Sequence, residues 1–257
     1  MPRASSASAD PEARPPAPRR DVKDIKLLPR VALGDQSAHD DPSLVSLRAV
    51  AVAIEHAPVL ASVDLALGAG QAVGLIGANG SGKSTLLQVC ATLRRPHRGR
   101  GEVLGVDLGA RIPADVRRRI CLVGHQPALY PRLTLRENLT FVADLHGRPR
   151  ATVDRVLGTV GLARVADRRV DRCSQGMARR ADLARALLTE PLLLLLDEAH
   201  SGLDAAAGEL VAHLVGQVRA RGGAALVASH EAERLDAVVD RVVHLSAGCL
   251  VPEVGGS

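Results

Sequence analysis

The sequence predicts an α/β fold with a mostly parallel central sheet, and three observations indicate it. Apolar segments of strand length alternate along the chain with segments of helical spacing. Residues 192–196 are apolar at every position, which is typical of a strand buried on both faces of a parallel sheet. A glycine-rich turn at residues 77–82 also joins an apolar strand to a helix.

The first half of the chain predicts mostly strands. Alternating or apolar runs predict them at 44–54, 59–67, 73–76, 101–108 and 120–123. Before them, residues 1–42 are rich in Pro, Ala, Ser, Arg and Asp, so we expect a disordered tail there and an ordered domain at 43–251.

From Thr134 onward the pattern becomes helical. Thr134 and Glu137 have the spacing of a capping box, and apolar residues then recur at helical intervals. We expect a helical subdomain at about 128–178, between two strand-bearing halves. After it, the pattern predicts helices at 177–188, 209–221 and 231–238 and strands at 192–196, 224–228 and 242–245.

Composition restricts the function classes. The chain has 257 residues, enough for one sizeable core, and a net charge of +5 carried mostly by dispersed arginines. With one Phe, one Tyr and no Trp, it lacks the stacking rings of many single-strand nucleic-acid binders, so we expect no nucleic acid. Four separated cysteines predict core fillers in a reducing cytoplasm rather than a metal site. The longest aliphatic run is far short of a membrane span and no signal peptide is evident, so we expect a cytoplasmic protein.

The glycine-rich turn has the residue types of a phosphate-binding loop, G-x-x-x-x-G-K-[ST]. Main-chain N–H groups can wrap a phosphate only where no Cβ intrudes, and the helix N-terminus adds partial positive charge. Lys83 would reach the β- and γ-phosphates of ATP, and the Ser84 hydroxyl would bind Mg²⁺. The residues expected to contact the nucleotide here are Gly77, Asn79, Gly80, Ser81, Gly82, Lys83, Ser84 and Thr85.

A second motif places two carboxylates after the apolar run 192–196. Asp197 would hold Mg²⁺ and Glu198 would polarise the attacking water, because ligands gather at the carboxyl ends of parallel strands. Residues 197–200 also spell Asp-Glu-Ala-His, a helicase box. Nucleic-acid motors need two nucleotide-binding domains, however, and this chain has room for one.

Six landmarks in order give the chain, over about residues 44–250, a strong resemblance to the ATP-binding subunit of ABC transporters. They are the phosphate loop, a glutamine loop at Gln126, a signature at 173–177, the acidic strand, a Ser201–Asp204 loop and a switch histidine, His230.

The resemblance implies a P-loop NTPase of ABC ATPase type, with an antiparallel β subdomain beside the main sheet. It also implies an ATP-dependent homodimer, or a pair with another ATPase subunit, in which Ser174 and Gly176 contact the γ-phosphate bound by the second copy. Gln126 would contact Mg²⁺ and the lytic water, His230 would hold the γ-phosphate, and Asp204 would lie near the nucleotide. Separate integral membrane subunits would hold the protein at the cytoplasmic face of the inner membrane.

Three features depart from the family pattern. The signature is Cys-Ser-Gln-Gly-Met instead of Leu-Ser-Gly-Gly-Gln, Ala199 replaces the usual proline, and Ile54 stands where an aromatic ring normally stacks on adenine. These changes motivate one alternative, a regulatory module that binds ATP without hydrolysing it. A non-transport ATPase acting in translation or DNA repair is another, although such chains usually carry two ATPase domains or a long coiled-coil insertion.

Residues 124–147 indicate the kind of transporter. Gly124-His-Gln-Pro-Ala-Leu-Tyr130 and the following Leu-Thr-Leu-Arg-Glu-Asn-Leu-Thr-Phe141 are similar to the heme-exporter ATP-binding subunit of cytochrome c maturation. Export ATPases for drugs, lipids or polysaccharides carry similar segments and remain the alternative.

Overall fold

The computed structural model describes residues 43–198, 205–235 and 237–251. Its strands are β1 (Val45–Ile54), β2 (Ala57–Leu67), β3 (Ala72–Ile76), β4 (Arg98–Val103), β5 (Val106–Asp107), β6 (Ile120–Val123), β7 (Leu193–Asp197), β8 (Ala224–Ser229), β9 (Arg241–Ser246) and β10 (Cys249–Val251). Its α-helices are α1 (Lys83–Cys90), α2 (Ala114–Arg118), α3 (Leu135–Leu145), α4 (Ala151–Thr159), α5 (Gln175–Thr189) and α6 (Ala205–Ala220). The predicted tail at 1–42 lies outside the described residues.

Across the described ranges the strands form one ten-stranded sheet in the order β5-β4-β1-β2-β10-β9-β3-β8-β7-β6. Strands β6, β7, β8, β3 and β9 run parallel, whereas β5, β4, β1 and β2 pair antiparallel. The predicted α/β class with a mostly parallel main sheet and an antiparallel β region is confirmed. The carboxyl ends of β3, β7 and β8 therefore meet at one edge.

The first four residues of strand β7 are leucines because the sheet is covered on both faces. Leu194 and Leu196 belong to the core on the side of α5 and α6, whereas Leu193 and Leu195 belong to the core that contains α1 and the antiparallel strands. All four leucines are fully buried, so both faces of the strand exclude water.

The helical region packs around α5, which contacts α3, α4, α6 and β6. Helix α3 begins with the predicted capping box: the Thr134 side chain accepts from the Glu137 N–H, and the Glu137 carboxylate accepts from the Thr134 N–H. Among the described residues, none of the helices is long and apolar enough to cross a membrane. The bounds 128–178 for a helical subdomain stay a prediction.

The predicted helix at 231–238 is wrong. The structure has a 3₁₀ turn at Ala232–Arg234 there, and the chain enters β9 at Arg241. The apolar spacing has another cause: Leu235 and Val238 are buried, and Leu235 lies against Gly74 of β3. Successive tight turns bring residues three apart to the same side, as a helix does. The short elements α2 and β10 were not predicted.

Candidate active site

The phosphate loop connects β3 to α1 and depends on its glycines. A Cβ on Gly77 would lie 2.3 Å from the Leu245 carbonyl oxygen and 2.6 Å from Ser81 Oγ. Gly82 has a φ of +107°, a conformation that side chains with a Cβ rarely adopt. The chain's own packing therefore requires glycine at both positions.

Lys83 lies inside this loop and is only 6% exposed. Its Nζ donates to the Gly77 carbonyl at 2.6 Å and to the Ala78 carbonyl at 3.2 Å. Helix α1, which begins at Lys83, has no acidic residue in its first turn. The ammonium and the helix N-terminus therefore add positive character to the same small volume, which suits an anion.

The two carboxylates follow from the end of β7. Asp197 is the last residue of the strand and is 6% exposed. Glu198 has left the strand geometry with a φ of +54°, although its N–H still donates to the Ala228 carbonyl at 3.0 Å. A left-handed conformation costs about 1–2 kcal/mol in a residue other than glycine, so surrounding contacts must hold Glu198 there.

His230 directly follows β8 and contacts Glu198. Its Nδ1 lies 2.7 Å from Glu198 Oε2, and its Nε2 lies 3.2 Å from Glu231 Oε1. The Glu198 side chain is 16% exposed and the His230 side chain 49%, so the pair opens to solvent on the histidine side. A carboxylate oriented by a histidine at the mouth of a cleft is suited to general-base chemistry.

One cavity of about 510 Å³ brings most of the predicted nucleotide residues together. Its lining includes nine of them: Asn79, Gly80, Gly82, Lys83, Ser84, Thr85, Asp197, Glu198 and His230. Gly77 and Ser81 do not line the cavity. The Gly77 carbonyl accepts from Lys83, and the Ser81 hydroxyl is buried without a hydrogen-bond partner among the described residues. Loop residues and two carboxylates therefore line the same cavity, an arrangement that suits the phosphates of a nucleotide.

The cavity also contains two residues that the sequence did not single out, Val59 and His125. His125 occupies the place beside the predicted Gln126, which is exposed and does not line the cavity. Val59 of β2 lines it, whereas Ile54 does not. In the sequence, only the position of His125 beside Gln126 indicates that it could lie at the site. No local pattern indicates Val59, because its place in the cavity depends on how β2 packs over the loop.

The signature segment lies apart from the cavity. Ser174 is the N-cap of α5, and its Oγ accepts from the Met177 N–H at 3.2 Å. Gly176 has nothing within 4 Å of an added Cβ. Burial raises the pKa of the Cys173 thiol above its usual range. Asp204 and the rest of the Ser201–Asp204 loop lie outside the described residues.

Arg179 of α5 is a further residue that sequence analysis missed. It is 4% exposed, and burial lowers the pKa of its guanidinium. It donates to the main-chain carbonyls of Gly124, Asp197 and Glu198. Nothing in the sequence around Arg179 distinguishes it from the adjacent Arg180, because only the helix packing decides which of the two points inward.

Comparison with known proteins settles the family. The ABC transporter family model matches residues 60–201. This chain belongs to that family. It is an ATP-binding, ATP-hydrolysing subunit, and the resemblance stated from its sequence is confirmed.

Its relatives include the cytochrome c biogenesis ATP-binding export protein CcmA of Bordetella bronchiseptica, 44% identical over 65% of this chain and 75% of the relative. The CcmA of Xanthomonas campestris pv. campestris is 38% identical over 81% and 97%. The daunorubicin resistance ATP-binding protein DrrA3 of Streptomyces coeruleorubidus is 38% identical over 76% and 62%.

Solved structures share the fold. An ATP-binding subunit of an ABC transporter superposes with a TM-score of 0.74 at 29% identity, covering 80% of this chain and 88% of that one. A dimeric post-hydrolysis state of the ATP-binding cassette MJ0796, bound to ADP and Pi, gives a TM-score of 0.72 at 25% identity over 83% and 100%.

Proposed function

We propose that this protein is the ATP-hydrolysing subunit of an exporter for cytochrome c biogenesis, with heme as the cargo of its membrane partner. The observation that carries the catalytic part is the single cavity in which Lys83, Ser84, Asp197 and Glu198 face one another beside His230. The cytochrome c part is supported by the two relatives named for that process and by residues 124–141.

The phosphate loop would bind the ATP phosphates. Lys83 already lies inside the loop, and its Nζ would exchange the Gly77 and Ala78 carbonyls for phosphate oxygens. The N–H groups at residues 80–85 would donate to the same oxygens from the start of α1. Binding in this manner positions the γ-phosphoryl group and neutralises its charge, which supplies most of the catalysis in phosphoryl transfer.

Glu198 would act as the general base for the attacking water, and His230 would orient it. The 2.7 Å contact with His230 Nδ1 occupies Oε2 and leaves the second carboxylate oxygen to accept the water's proton. His230 reaches the cavity as well, so it would contact the γ-phosphate during the reaction. Gln126 would join this group if its loop moved inward, since it is exposed in this structure.

The donor set also fits Mg²⁺. The Ser84 hydroxyl and the Asp197 carboxylate are hard oxygen donors that line the same cavity, and Asp197 is buried there without leaving the strand. A bound Mg²⁺ would supply charge neutralisation at the β- and γ-phosphates. Within this chain, Ser84 and Asp197 would hold it, with Gln126 as a third ligand in the closed state.

A second copy would complete the site. Ser174 and Gly176 do not line the cavity of their own chain, yet they form an accessible helix N-terminus of the kind that binds anions. In a head-to-tail homodimer each signature would donate to the γ-phosphate on the other copy. The MJ0796 cassette is dimeric with ADP and Pi bound, which supports a dimer. Asp204 would lie at the same interface.

Separate integral membrane subunits would translate ATP hydrolysis into export. The described surface carries two neighbouring exposed rings, Tyr130 and Phe141, in edge-to-face contact with centroids 5.5 Å apart. Both belong to the stretch that is similar to heme-exporter subunits. We place the membrane partner here, at the cytoplasmic face of the inner membrane.

Substitution of Glu198 by Gln tests the catalytic assignment. We expect purified Glu198→Gln to bind ATP with unchanged affinity and to lose at least about 100-fold in kcat, the scale of general-base catalysis. Phosphate release by the purified protein, with nucleotide affinity from a fluorescent ATP analogue, would measure both. Wild-type kcat in this variant would contradict the assignment.

Drug export is the second candidate, because DrrA3 covers 76% of this chain at the same identity as the Xanthomonas CcmA. A chromosomal deletion in the source organism separates the two. Loss of heme-stained c-type cytochromes, restored by the wild-type gene but not by Lys83→Ala, supports cytochrome c biogenesis. Intact cytochromes together with sensitivity to anthracyclines would support drug export.

A further inference from the structure

The side chain of Arg179 ties the ends of two central strands to α5. Its Nη2 donates to the Asp197 carbonyl at 2.9 Å and to the Glu198 carbonyl at 3.1 Å, and its Nη1 donates to the Gly124 carbonyl. Gly124 directly follows β6, and Asp197 ends β7. One guanidinium therefore fixes the main chain at both the acidic strand and the start of the glutamine loop.

The geometry at Glu198 explains why such a contact matters. Its backbone has a φ of +54°, and its N–H is held by the Ala228 carbonyl at 3.0 Å. Arg179 holds the carbonyl on the other side of the same residue. Fixing both peptide groups keeps the left-handed conformation, and that conformation directs the carboxylate to His230 at 2.7 Å.

Stability alone is a weak reason to bury this cation. Within the described chain, the hydrogen bonds of Arg179 go to neutral carbonyls, although the carboxylates of Asp182, Asp197 and Glu198 lie near enough to favour its charge. The other inward arginine of α5, Arg185, pairs directly with the Asp182 carboxylate at 2.9 Å. Desolvation of a buried charge costs free energy that its contacts offset only in part, so burial of a cation is weak evidence for a role in stability. Arg185 thus serves as the structural counterpart with which Arg179 can be compared.

The position of Arg179 along α5 connects the signature to Glu198. The helix begins at the signature, with Ser174 as its N-cap, and Arg179 lies in its second turn. A shift of the helix start therefore reaches the Glu198 carbonyl through one side chain, because a helix of this length moves as a rigid element.

We propose that Arg179 is a positioning residue that holds Glu198 in its reactive conformation and couples it to the signature of the same copy. This inference rests on the proposed roles of Glu198 as general base and of the signature as the contact to the second copy's ATP. When the signature of one copy contacts the ATP bound to the other copy, Arg179 would transmit that contact to Glu198 of its own copy.

The test measures kcat, the Hill coefficient for ATP, ATP affinity and melting temperature for Arg179→Met and Arg179→Lys of the full chain. Arg185→Met is the matched control. We expect Arg179→Met to lower kcat about 100-fold, as a misplaced catalytic group does, and to leave ATP affinity within about twofold. We expect Arg179→Lys, which keeps the charge but loses the fork of donors, to recover part of kcat. The Hill coefficient of the methionine variant should fall towards 1. Arg185→Met should lower the melting temperature and keep the Hill coefficient.

The double variant Arg179→Met/Glu198→Gln distinguishes a positioning role of Arg179 from a non-specific structural defect. If Arg179 acts through Glu198, Arg179→Met adds no further loss in the Glu198→Gln background, since coupled residues are not additive. Multiplied losses, or wild-type kcat in Arg179→Met, would overturn the inference and leave the assignment of Glu198 intact. Wild-type kcat in Glu198→Gln alone would instead overturn the proposed function and this inference with it. Should the methionine variant fail to fold, the lysine variant gives the same comparison.

Discussion

The phosphate loop and the signature are both glycine-containing helix starts, yet their surroundings differ completely. Gly77 is enclosed by its own chain, with a carbonyl and a hydroxyl where a Cβ would go, whereas Gly176 faces open space. Lys83 is buried and hydrogen-bonded within its loop, and Ser174 is exposed. The phosphate loop is therefore packed and hydrogen-bonded within its own chain, whereas the start of α5 is accessible from outside.

The two glycines are needed for different reasons. Folding of the single chain explains Gly77, because any side chain there would collide with Leu245. Nothing in the described chain explains Gly176. A group that approaches the start of α5 from outside would explain it, and the nucleotide on a second copy is such a group.

Lys83→Ala should abolish the function of the phosphate loop. Without the ammonium the loop loses its charge at the β- and γ-phosphates, and we expect ATP turnover to fall at least about 100-fold. The measurement is phosphate release together with nucleotide binding. Arg117→Ala, an exposed cation of α2, is the control and should keep wild-type turnover. Tight binding with normal turnover in Lys83→Ala would refute the phosphate-loop assignment.

Alanine at the two glycines should separate folding from turnover. Gly77→Ala must displace Leu245 or Ser81, and we expect it to destabilise the fold by about 1–3 kcal/mol. Gly176→Ala should leave the free energy of unfolding unchanged or raise it by up to about 1 kcal/mol, because alanine favours a helix. Its turnover should nevertheless fall, because the added methyl group lies where the second copy's phosphate approaches.

Urea titration of both variants and phosphate release at matched folded fractions would check this pair. Equal destabilisation by Gly77→Ala and Gly176→Ala would contradict the contrast between an enclosed Gly77 and an accessible Gly176. Wild-type turnover in Gly176→Ala would show that the start of α5 is not approached closely during the reaction.

The Cys173 thiol, next to Ser174, can be used as a chemical probe of the signature. Burial raises its pKa, so the thiol stays protonated at neutral pH and reacts slowly with iodoacetamide. We expect the alkylation rate, followed by peptide mass spectrometry, to rise about tenfold per pH unit from pH 7 to pH 9 as the thiolate forms. Burial also raises the pKa of Cys90, to about 12, so Cys90 should stay unmodified and serve as the internal control. A pH-independent rate at Cys173 would contradict the assigned environment.

The smallest expected change in stability concerns the start of α3, which belongs to neither the phosphate loop nor the signature. Thr134→Ala removes the N-cap of α3 and should cost about 1 kcal/mol of unfolding free energy without changing ATP affinity. Thr159→Ala, at the C-terminal end of α4, is the matched control and should stay within about 0.5 kcal/mol. An equal cost for both threonines would show that the capping box contributes nothing.

Sequence reasoning succeeded where a local pattern has one physical solution. The phosphate loop, the apolar strand β7 and the capping box of α3 all follow from short-range rules about glycine, burial and unpaired N–H groups. It failed at 231–238, where turns imitate helical spacing, and it missed Val59 and Arg179. Those two act through contacts distant in the chain, and no local rule distinguishes Arg179 from Arg180.

The central claim, a catalytic site shared between two copies, is tested most directly by the mass of Glu198→Gln in solution with saturating ATP. Light scattering should give a dimer with ATP and a monomer without it. A second substitution, Gly176→Glu, should abolish the dimer and leave ATP affinity within about twofold, because the carboxylate would repel the partner's phosphates. A dimer of undiminished stability in Glu198→Gln/Gly176→Glu, or a monomer of Glu198→Gln saturated with ATP, would contradict the account.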